Sequence, residues 1–318
     1  SSLVGSEMCI RDRVYSVKIT SYLGEEIVLD LMNPWKNGLA ITDIEGIGVV
    51  KATINYTENA SGDGGRYNSS RIGTRNIVFT IRPLSIGFQT VEDSRQLLYR
   101  YFHIKQLVTL DFTTERRHAR ITGYVEENDP NIFSDEESVQ ISIICADPYF
   151  YDLKDGGETE VSFSGTESLF EFPFENNSTS SDLIEFGEIT FRKEQLIQYN
   201  GSAEVGFIIR IHASGEAKMI TIYNIDTRES MRIDTDRFAQ IAGSEIQNGD
   251  EIVISTITGQ KSVILIRDGK EWNILNSLDK DSSWLKLKSG TNRLAYICDE
   301  GAEYLDFTLT YKTAFEGL

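Results

Sequence analysis

The side chains that most often carry chemistry, histidine and cysteine, are scarce in this sequence and far apart. They are His103, His118, His212, Cys9, Cys145 and Cys298. Zinc sites place such ligands at short spacings such as HxH, HExxH or CxxC, and none of these occurs, so the sequence predicts no zinc site. The cysteines indicate a reducing compartment or simply small buried side chains, and we predict that Cys145 and Cys298 are core thiols on strands.

Acidic side chains are abundant, but their arrangement does not indicate a site. The run that starts at Asp279 begins like a calcium loop, yet its sixth residue is Trp284 where glycine is needed, and its twelfth is Gly290 where a glutamate belongs. Nothing in the sequence sets two carboxylates at the separation that a glycosidase needs, and no GxSxG motif is present. We therefore predict that the protein is not an enzyme, with no catalytic, cofactor-binding or metal-binding residues and no cofactor.

The net charge is −18 over 318 residues and is unevenly distributed. Residues 1–150 contain 15 Lys and Arg against 20 Asp and Glu, whereas residues 151–318 contain 16 against 29. Nucleic-acid binding requires basic side chains clustered on one surface, so this balance disfavours DNA as a ligand. No apolar run approaches the roughly 20 residues that cross a membrane, and the composition is typical of a soluble globular protein.

The segment Ser138–Asp152 indicates a domain junction. Alternate residues from Val139 to Cys145 are apolar, as in a strand with one buried face, and Pro148 then interrupts the strand because it lacks an N–H group. The length of the chain also favours two domains over one. We predict an N-terminal domain at 14–152 and a C-terminal domain at 153–318.

The first thirteen residues differ from the rest of the chain. The string SSLVGSEMCIRDR has neither strand alternation nor the layout of a signal peptide. It resembles a spurious translation of adapter sequence, so we predict that 1–13 is a non-native leader and that the native sequence begins near Val14. The alternative is a genuine, disordered N-terminal tail.

Short extended segments separated by Gly, Asn and Asp predict that the N-terminal domain is rich in β-structure. Two of the strands are marked by alternating apolar residues, Ile77, Phe79 and Ile81 in one and Val108, Leu110 and Phe112 in the other. Between Ile54 and Arg75 a polar stretch rich in Gly, Ser and Asn predicts a long hairpin arm. Its glycines do not form a phosphate loop, since no helix and no Lys-Ser/Thr pair follow them.

One helix is predicted in the N-terminal domain. Thr90 and Asp93 have the spacing of a capping box, and an apolar stripe follows at Leu97, Leu98, Tyr101 and Phe102. The stripe predicts that the helix packs on the sheet. Arg95 and Arg100 lie away from the stripe; they are either solvated or paired with acidic groups of a neighbouring subunit.

The C-terminal domain is predicted to be an antiparallel β-sandwich. Seven β-branched or aromatic segments with short turns between them carry this prediction: FIIRI, MITIYNI, EIVISTIT, SVILIRD, WLKLK, RLAYIC and YLDFTLTY. In the last of them Leu305, Phe307, Leu309 and Tyr311 fall on one face, as expected for a sheet with one solvated side.

Several motifs, taken in order, resemble one protein family. They are NPWKNGLAITDIEGIG from Asn33, SSRIGTRNI, the helix with its YRYF, RITGYVE, ISIICADPYFYD, TITGQKSVILIRDGKEWN, SGTNRLAY and a final strand ending near Phe315-Glu316-Gly317. In this order they are similar to the distal tail protein family of long non-contractile-tailed bacteriophages, the siphophages. The resemblance covers nearly all of residues 14–318, and the leading thirteen residues depart from it.

The resemblance implies a structural virion protein made in the bacterial host cytoplasm. Its N-terminal domains would form a homo-hexameric ring at the distal end of the tail, and its C-terminal domain would be a galectin-like sandwich that projects outward. The implied partners are further copies of the chain, the tail tube protein, and tail-tip or receptor-binding proteins. DNA would pass through the ring without specific binding, and no membrane is involved.

A carbohydrate-binding module is the alternative function, because a galectin-like sandwich could present aromatic rings to sugars. The candidates are Trp272, Trp284 and Tyr296. Trp284 and Tyr296 lie within strand-like runs, which favours core packing for these two residues.

Overall fold

The computed structural model describes residues 14–59, 61–133, 137–167, 188–191 and 194–318, so the predicted leader at 1–13 lies outside the described residues. The chain divides into two compact units. Unit 1 comprises the residues up to Gly157 together with Ala314–Leu318, and unit 2 comprises Glu158–Thr313. Both units are built mainly from antiparallel strands, which confirms the predicted fold class.

Unit 1 contains ten strands before the chain enters unit 2. They are β1 (Val14–Thr20), β2 (Glu26–Asp30), β3 (Leu39–Glu45), β4 (Ala52–Glu58), β5 (Gly65–Ile72), β6 (Arg75–Pro83), β7 (Leu107–Thr114), β8 (His118–Asn131), β9 (Ser138–Cys145) and β10 (Phe150–Asp152). The main sheet has the order β2-β1-β7-β8-β9-β6-β3, and within the described part of the chain β4 and β5 pair only with each other. Short 3-10 helices lie at Pro34–Lys36 and Lys154–Gly156.

The core of unit 1 lies on one face of this sheet. The predicted alternation along β6, β7 and β9 is confirmed, since the side chains it marks are buried: Ile77, Phe79, Ile81, Val108, Leu110, Phe112, Val139, Ile141, Ile143 and Cys145. Strands β6 and β9 are paired so that Phe79 lies opposite Ile141. The rings of Phe79 and Phe112 stack with their centroids 6.2 Å apart. Burial raises the pKa of the Cys145 thiol to about 11.

Helix α1 (Val91–Tyr101) begins at the predicted capping box. The Thr90 hydroxyl accepts a hydrogen bond from the Asp93 backbone N–H at 3.1 Å, and the Asp93 carboxylate accepts one from the Thr90 backbone N–H at 2.8 Å. This second bond lowers the pKa of Asp93. Leu98 and Phe102 are buried in the core, with Leu97 and Tyr101 beside it.

The Thr90→Ala variant is expected to lose about 1 kcal/mol of stability, because it leaves an N-terminal N–H of α1 without its side-chain acceptor. The measurement is urea unfolding followed by helical circular dichroism. Thr53→Ala, at an exposed position of β4, is the control and is expected to change the free energy of unfolding by less than about 0.5 kcal/mol. Equal losses in the two variants would contradict a capping role.

The two arginines of α1 form ion pairs within their own unit; the Arg95 side chain is mostly buried and so not simply solvated, whereas the Arg100 side chain stays 59% exposed. Arg95 Nη1 lies 3.0 Å from a carboxylate oxygen of Glu137, and the Arg100 guanidinium forms a double hydrogen bond with Glu25. The Glu25 partner precedes β2, so α1 is held to the β2 edge of the sheet by this pair.

The chain leaves unit 1 later than predicted, and it returns. Strand β10 still pairs with β8, as the predicted boundary at 152 allows, and the chain stays with unit 1 up to Gly157. The final strand, Ala314–Phe315, pairs with β10, with Phe150 opposite Phe315. The sequence prediction assigned 314–318 to the second domain, whereas the structure places these five residues in unit 1 because of this pairing.

The described residues of unit 2 form twelve strands and one α-helix. They are β11 (Thr159–Ser162), β12 (Ser164–Glu167), β13 (Glu188–Phe191), β14 (Glu194–Tyr199), β15 (Phe207–Ala213), β16 (Ile220–Asn224), β17 (Glu229–Ile233), α2 (Thr235–Ala242), β18 (Glu251–Ser255), β19 (Ser262–Arg267), β20 (Lys270–Asn273), β21 (Gly290–Ile297) and β22 (Leu305–Tyr311). One sheet has the order β11-β22-β15-β18-β19-β20, another has the order β14-β21-β16-β17, and β12 pairs with β13. Short 3-10 helices lie at Leu275–Ser277 and Ala302–Tyr304.

The two larger sheets of unit 2 pack face to face as a sandwich. Tyr296 of β21 stacks on Phe307 of β22 with the ring centroids 3.9 Å apart, and Tyr199 of β14 meets Tyr311 of β22 edge-on at 5.8 Å. Burial raises the pKa of Tyr296 to about 12. The predicted inward face of the last strand is confirmed, since Leu305, Phe307, Leu309 and Tyr311 are all buried.

Two predictions about unit 2 are wrong. The WLKLK segment at 284–288 is not a strand; it forms only an isolated bridge between Leu287 and Val205, although its alternation is strand-like. Cys298 lies just after β21 and is half-buried, so it is not a core thiol on a strand.

Candidate assembly surfaces

The residues that the structure describes contain no group of three or more His, Cys, Asp and Glu placed to hold a metal ion. In the same residues, no helix is long and apolar enough to cross a membrane. Asp279, where the calcium-like run begins, forms ion pairs with Arg237 at 3.1 Å and Arg232 at 3.8 Å. The features that invite a functional interpretation are therefore exposed surfaces.

The predicted hairpin arm is confirmed as strands β4 and β5. The two strands pair from Ala52 opposite Ile72 to Glu58 opposite Gly65, with a bulge next to Asn55. The backbone N–H of Asn59 donates to the Gly64 carbonyl at 3.2 Å and closes the tip, where Gly64 adopts a positive φ of 84°. Every residue of β4 is exposed, and so is every residue of β5 except Ile72.

The arm has two chemically different faces, which follow from its register. Tyr56 lies directly opposite Tyr67, on the same side as Ile54, and this apolar face leaves each tyrosine 61% exposed. The other face is polar and carries Arg66 and Arg71. A two-stranded hairpin is at best marginally stable in water, so an exposed apolar face on such a hairpin indicates a surface that becomes covered on assembly.

The polar face of the arm is held by side-chain hydrogen bonds across the two strands. Asn55 Nδ2 donates to Ser69 Oγ at 3.1 Å, and Asn68 Nδ2 donates to Thr57 Oγ1 at 2.8 Å. These two bonds lie on the same face as Arg66 and Arg71. On the tyrosine face, the described cross-strand and local side-chain contacts include one polar contact, between the Tyr67 and Ser70 hydroxyls. The arm is therefore amphipathic, with a cationic polar side.

The root of the arm is organised by one buried cation. Arg75 is the first residue of β6, directly after the arm, and its side chain is among the largest fully buried ones. Its guanidinium donates to four backbone carbonyl oxygens, those of Pro148 at 2.7 Å and of Gly46, Gly48 and Glu316 at 2.5 Å each. It also lies over the Phe150 ring, 4.6 Å from the centroid. Burial lowers the pKa of Arg75.

Residues 314–318, called here the return segment, pack against this root. The Leu318 backbone N–H donates to the Ile47 carbonyl at 3.1 Å. Arg117 donates to the Gly317 carbonyl at 2.7 Å and places its guanidinium 4.2 Å from the centroid of the Phe315 ring. The sequence signals that could have indicated these contacts are absent, since Arg75 and Glu316 are 241 positions apart.

Exposed apolar side chains are concentrated in unit 1. Of the twenty large exposed hydrophobic residues among those described, fifteen lie in unit 1 and five in unit 2. The most exposed are Phe88, in the turn after β6, and Phe133, in the turn after β8, at 107% and 96%. Strands β6 and β8 both run away from the arm root, so these two phenylalanines lie at the other end of the sheet.

The three aromatic residues considered for sugar stacking are placed differently in unit 2. Tyr296 is in the core, as predicted. Trp284 is half-buried outside any strand, with Lys261 Nζ 5.1 Å from its ring centroid, so its prediction as a core strand residue is wrong. Trp272 is 40% exposed on the edge strand β20, opposite the buried Leu265 and therefore on the inner side of its sheet.

Unit 2 also contains a buried ion pair that supports its core. The Asp250 carboxylate, only 1% exposed, receives two hydrogen bonds from Arg267, from Nε at 2.7 Å and from Nη2 at 2.6 Å. The Gln247 backbone N–H donates to the same carboxylate at 2.8 Å. Arg267 in turn donates to the Ser244 hydroxyl and to the Glu245 carbonyl, so both charges are fully engaged and no reactive group is left over.

Comparisons with known proteins find a family match over residues 200–315 and a similar fold over nearly the whole chain. Residues 200–315 match the family described as siphovirus-type tail component, C-terminal domain, which confirms the resemblance recognised from the sequence. The crystal structure of the SPP1 Dit (gp 19.1) protein, described as a paradigm of the hub adsorption apparatus in Gram-positive-infecting phages, superposes with a TM-score of 0.59 at 14% identity. That match covers 95% of this chain and 100% of the other.

A second similar structure is the phage P2 baseplate in its activated conformation with calcium, with a TM-score of 0.42 and 14% identity over 93% of this chain and 98% of the other. No curated protein sequence matches the chain significantly.

Proposed function

We propose that this chain is a structural virion protein of a long-tailed bacteriophage, and that it forms a hexameric ring at the distal end of the tail. The ring joins the tail tube to the host-recognition apparatus, and the chain has no catalytic role. The observation that carries this proposal is the exposed amphipathic arm on a unit already rich in exposed apolar side chains. The similarity of the fold to the SPP1 Dit protein over the length of both chains supports it.

A ring is favoured over a symmetric dimer by the form of the arm. Rings are built from heterologous contacts, in which one patch of a subunit binds a different patch on the next subunit. A projecting hairpin with one apolar face supplies such a patch, because it can lie on another subunit or add to a free sheet edge. We therefore propose that the arm, including residues 57–74, contacts the surface of a neighbouring protomer or of the adjoining tail protein.

Unit 1 is proposed as the ring-forming module, and unit 2 as a galectin-like sandwich that projects outward. The contrast in exposed apolar side chains supports this division of roles, since surfaces that stay in water rarely keep large apolar patches. The acidic surplus after residue 150, with 29 Asp and Glu against 16 Lys and Arg, suits a solvated outer module. The tail tube protein and tail-tip or receptor-binding proteins are the proposed neighbours.

The proposed ring passes DNA without specific binding. Residues 1–150 have five more acidic than basic side chains, 20 against 15, so the ring-forming half has no basic surplus that would hold phosphates.

Native mass spectrometry of residues 14–318, together with electron microscopy of the purified protein, tests the proposal. A stable sixfold species with a central opening is expected. A strict monomer at all concentrations and salt conditions would contradict the ring, whereas a closed ring of another copy number would correct only its stoichiometry.

Carbohydrate binding by unit 2 is the second candidate function, and the exposure of Trp272 is the observation in its favour. Because the Trp272 ring lies opposite Leu265 on the inner side of the sheet, we expect no glycan on an array to bind through it. The measurement compares the chain with its Trp272→Ala variant. Binding that the variant abolishes would overturn this expectation and establish the carbohydrate-binding role.

A further inference from the structure

The direction of the arm is not determined by the arm itself. Strands β4 and β5 pair only with each other, so no ladder hydrogen bond ties them to the main sheet. One leg of the arm continues directly into β6 at Arg75, which is fixed by its pairing with Cys145 of β9. The other leg, from Gly46 to Lys51, follows β3, whose last residue Glu45 pairs with Val78 of β6, and its six residues lie outside any strand.

The Arg75 side chain anchors this second leg. Two of its four acceptors, the carbonyl oxygens of Gly46 and Gly48, belong to the leg. The same guanidinium also binds Pro148, on the way to unit 2, and Glu316, on the way back. One cation therefore connects both legs of the arm with both chain segments that lead to and from the inserted unit.

The return segment completes this setting. Besides the bond from Leu318 to the Ile47 carbonyl, Gly317 lies so close to the arm leg that a side chain there would come within 3.1 Å of the Gly48 backbone. A glycine permits this approach because it has no Cβ atom. The leg from Gly46 to Gly48 is thus contacted by Arg75, Gly317 and Leu318.

Arginine is the side chain that this geometry requires. Its planar guanidinium has five N–H donors that point in different directions, so it can reach four carbonyl oxygens on three separate chain segments. A lysine ammonium has three donors at a single point and cannot span the same acceptors. Buried carbonyl groups left without a donor are costly, so the loss of the guanidinium loosens every segment that it joins.

We propose that Arg75 is a positioning residue for the arm, and that residues 316–318 act with it to set the direction in which the arm leaves unit 1. The biological meaning of this role rests on the proposed function, since a ring closes only if each arm points at the surface that receives it. The positioning itself is a property of one chain and can be measured whether or not rings form.

Distances between two spin labels test the proposal. Labels are attached at Ser61→Cys on the arm tip and Glu115→Cys in the β7–β8 turn of unit 1, with Cys9 and Cys298 replaced by serine. Cys145 stays, because its buried thiol does not react under native conditions. Labelled chain is diluted with excess unlabelled chain, so that each measurement reports on a single arm.

A single narrow distance distribution is expected for the otherwise unchanged chain. In the Arg75→Gln variant, and separately in a chain that stops after Phe315, the distribution is expected to be roughly twofold or more broader, with the main sheet still protected from hydrogen exchange. Arg116→Gln, which removes an equal charge from an exposed position, is the matched control and is expected to leave the distribution unchanged.

Unchanged narrow distributions in both test variants would overturn the proposal. If Arg75→Gln does not fold, Arg75→Lys takes its place, since lysine keeps the charge but cannot reach the four acceptors, and the chain that stops after Phe315 tests residues 316–318 separately. A monomeric chain whose arm loosens as expected would support the positioning role while contradicting the ring. A hexamer whose distance distribution stays narrow in both variants would support the ring and contradict the positioning role.

Discussion

Replacement of residues 52–72 by an Asn-Gly turn is expected to give a folded chain that no longer assembles into rings. Ala52 and Ile72 are cross-strand partners, so the ends of the deletion lie close enough for a two-residue turn to join them. The removed residues are almost all exposed and pair only with one another, so the core of unit 1 loses nothing.

The expected effect on assembly is large because the deletion removes Tyr56 and Tyr67 together. Tyrosines at the centre of an interface often contribute about 2 kcal/mol or more each, and two of them correspond to about three orders of magnitude in the dissociation constant. Sedimentation velocity over a range of concentrations measures this loss, and near-ultraviolet circular dichroism checks that the fold is retained.

The control for the arm deletion replaces only the tip, residues 59–64, with Asn-Gly and keeps both faces of the arm. This shortened arm is expected to assemble as the full chain does. Intact rings after removal of residues 52–72 would show that the arm does not hold the subunits together. The arm would then contact a protein outside the ring, or nothing.

The second large effect concerns the stability of unit 2. Arg267→Met is expected to lower the free energy of unfolding of unit 2 by about 3–5 kcal/mol, because it leaves the Asp250 carboxylate buried without a cation. Asp250 is 1% exposed, so water cannot replace the lost partner. Denaturant unfolding is monitored by hydrogen exchange with mass spectrometry, which gives the free energy of unfolding of each unit separately.

Arg210→Met is the matched control for Arg267→Met. Arg210 also pairs with a carboxylate, that of Glu251 at 2.8 Å, but both partners are substantially exposed, and the expected loss is below about 1 kcal/mol. If the two variants lost equal stability, burial would not be the cause. The double variant Arg267→Met/Asp250→Leu is expected to recover much of the loss, since it removes the unpaired charge as well.

The parts of the fold that the sequence predicted are those decided by neighbours along the chain. Alternation along β6 and β9 identified buried faces, the spacing of Thr90 and Asp93 identified the start of α1, and a polar glycine-rich stretch identified the arm. Each of these signals lies within about twenty consecutive residues, the range in which periodicity, capping and turn composition operate.

The parts that were missed depend on distant partners. The WLKLK segment alternates like a strand, yet only Leu287 finds a bridging partner, and alternation alone cannot show whether a partner exists. The return of the chain to unit 1 depends on a strand of two residues, which is too short for any periodicity. Arg75 binds Glu316 across most of the chain, and no local pattern distinguishes it from a surface arginine.

Helix α2 shows that some missed elements did have a signal. Asp234 precedes it and accepts hydrogen bonds from the backbone N–H groups of Asp236 and Arg237, and Gly243 follows it in the left-handed conformation. This is the usual order of an N-cap and a C-terminal glycine, so the helix could have been predicted from its ends.

The pairing of Tyr151 with Ala314 has a consequence for how such a protein can change over generations. The chain leaves unit 1 after β10 and returns to it in the strand that pairs with β10. Residues Glu158–Thr313 are therefore inserted between two adjacent strands of unit 1. Recombination at these two points can exchange the whole of unit 2 for another domain whose termini are similarly close. Unit 1 would keep its own hydrogen bonds, so a change of unit 2 need not disturb it.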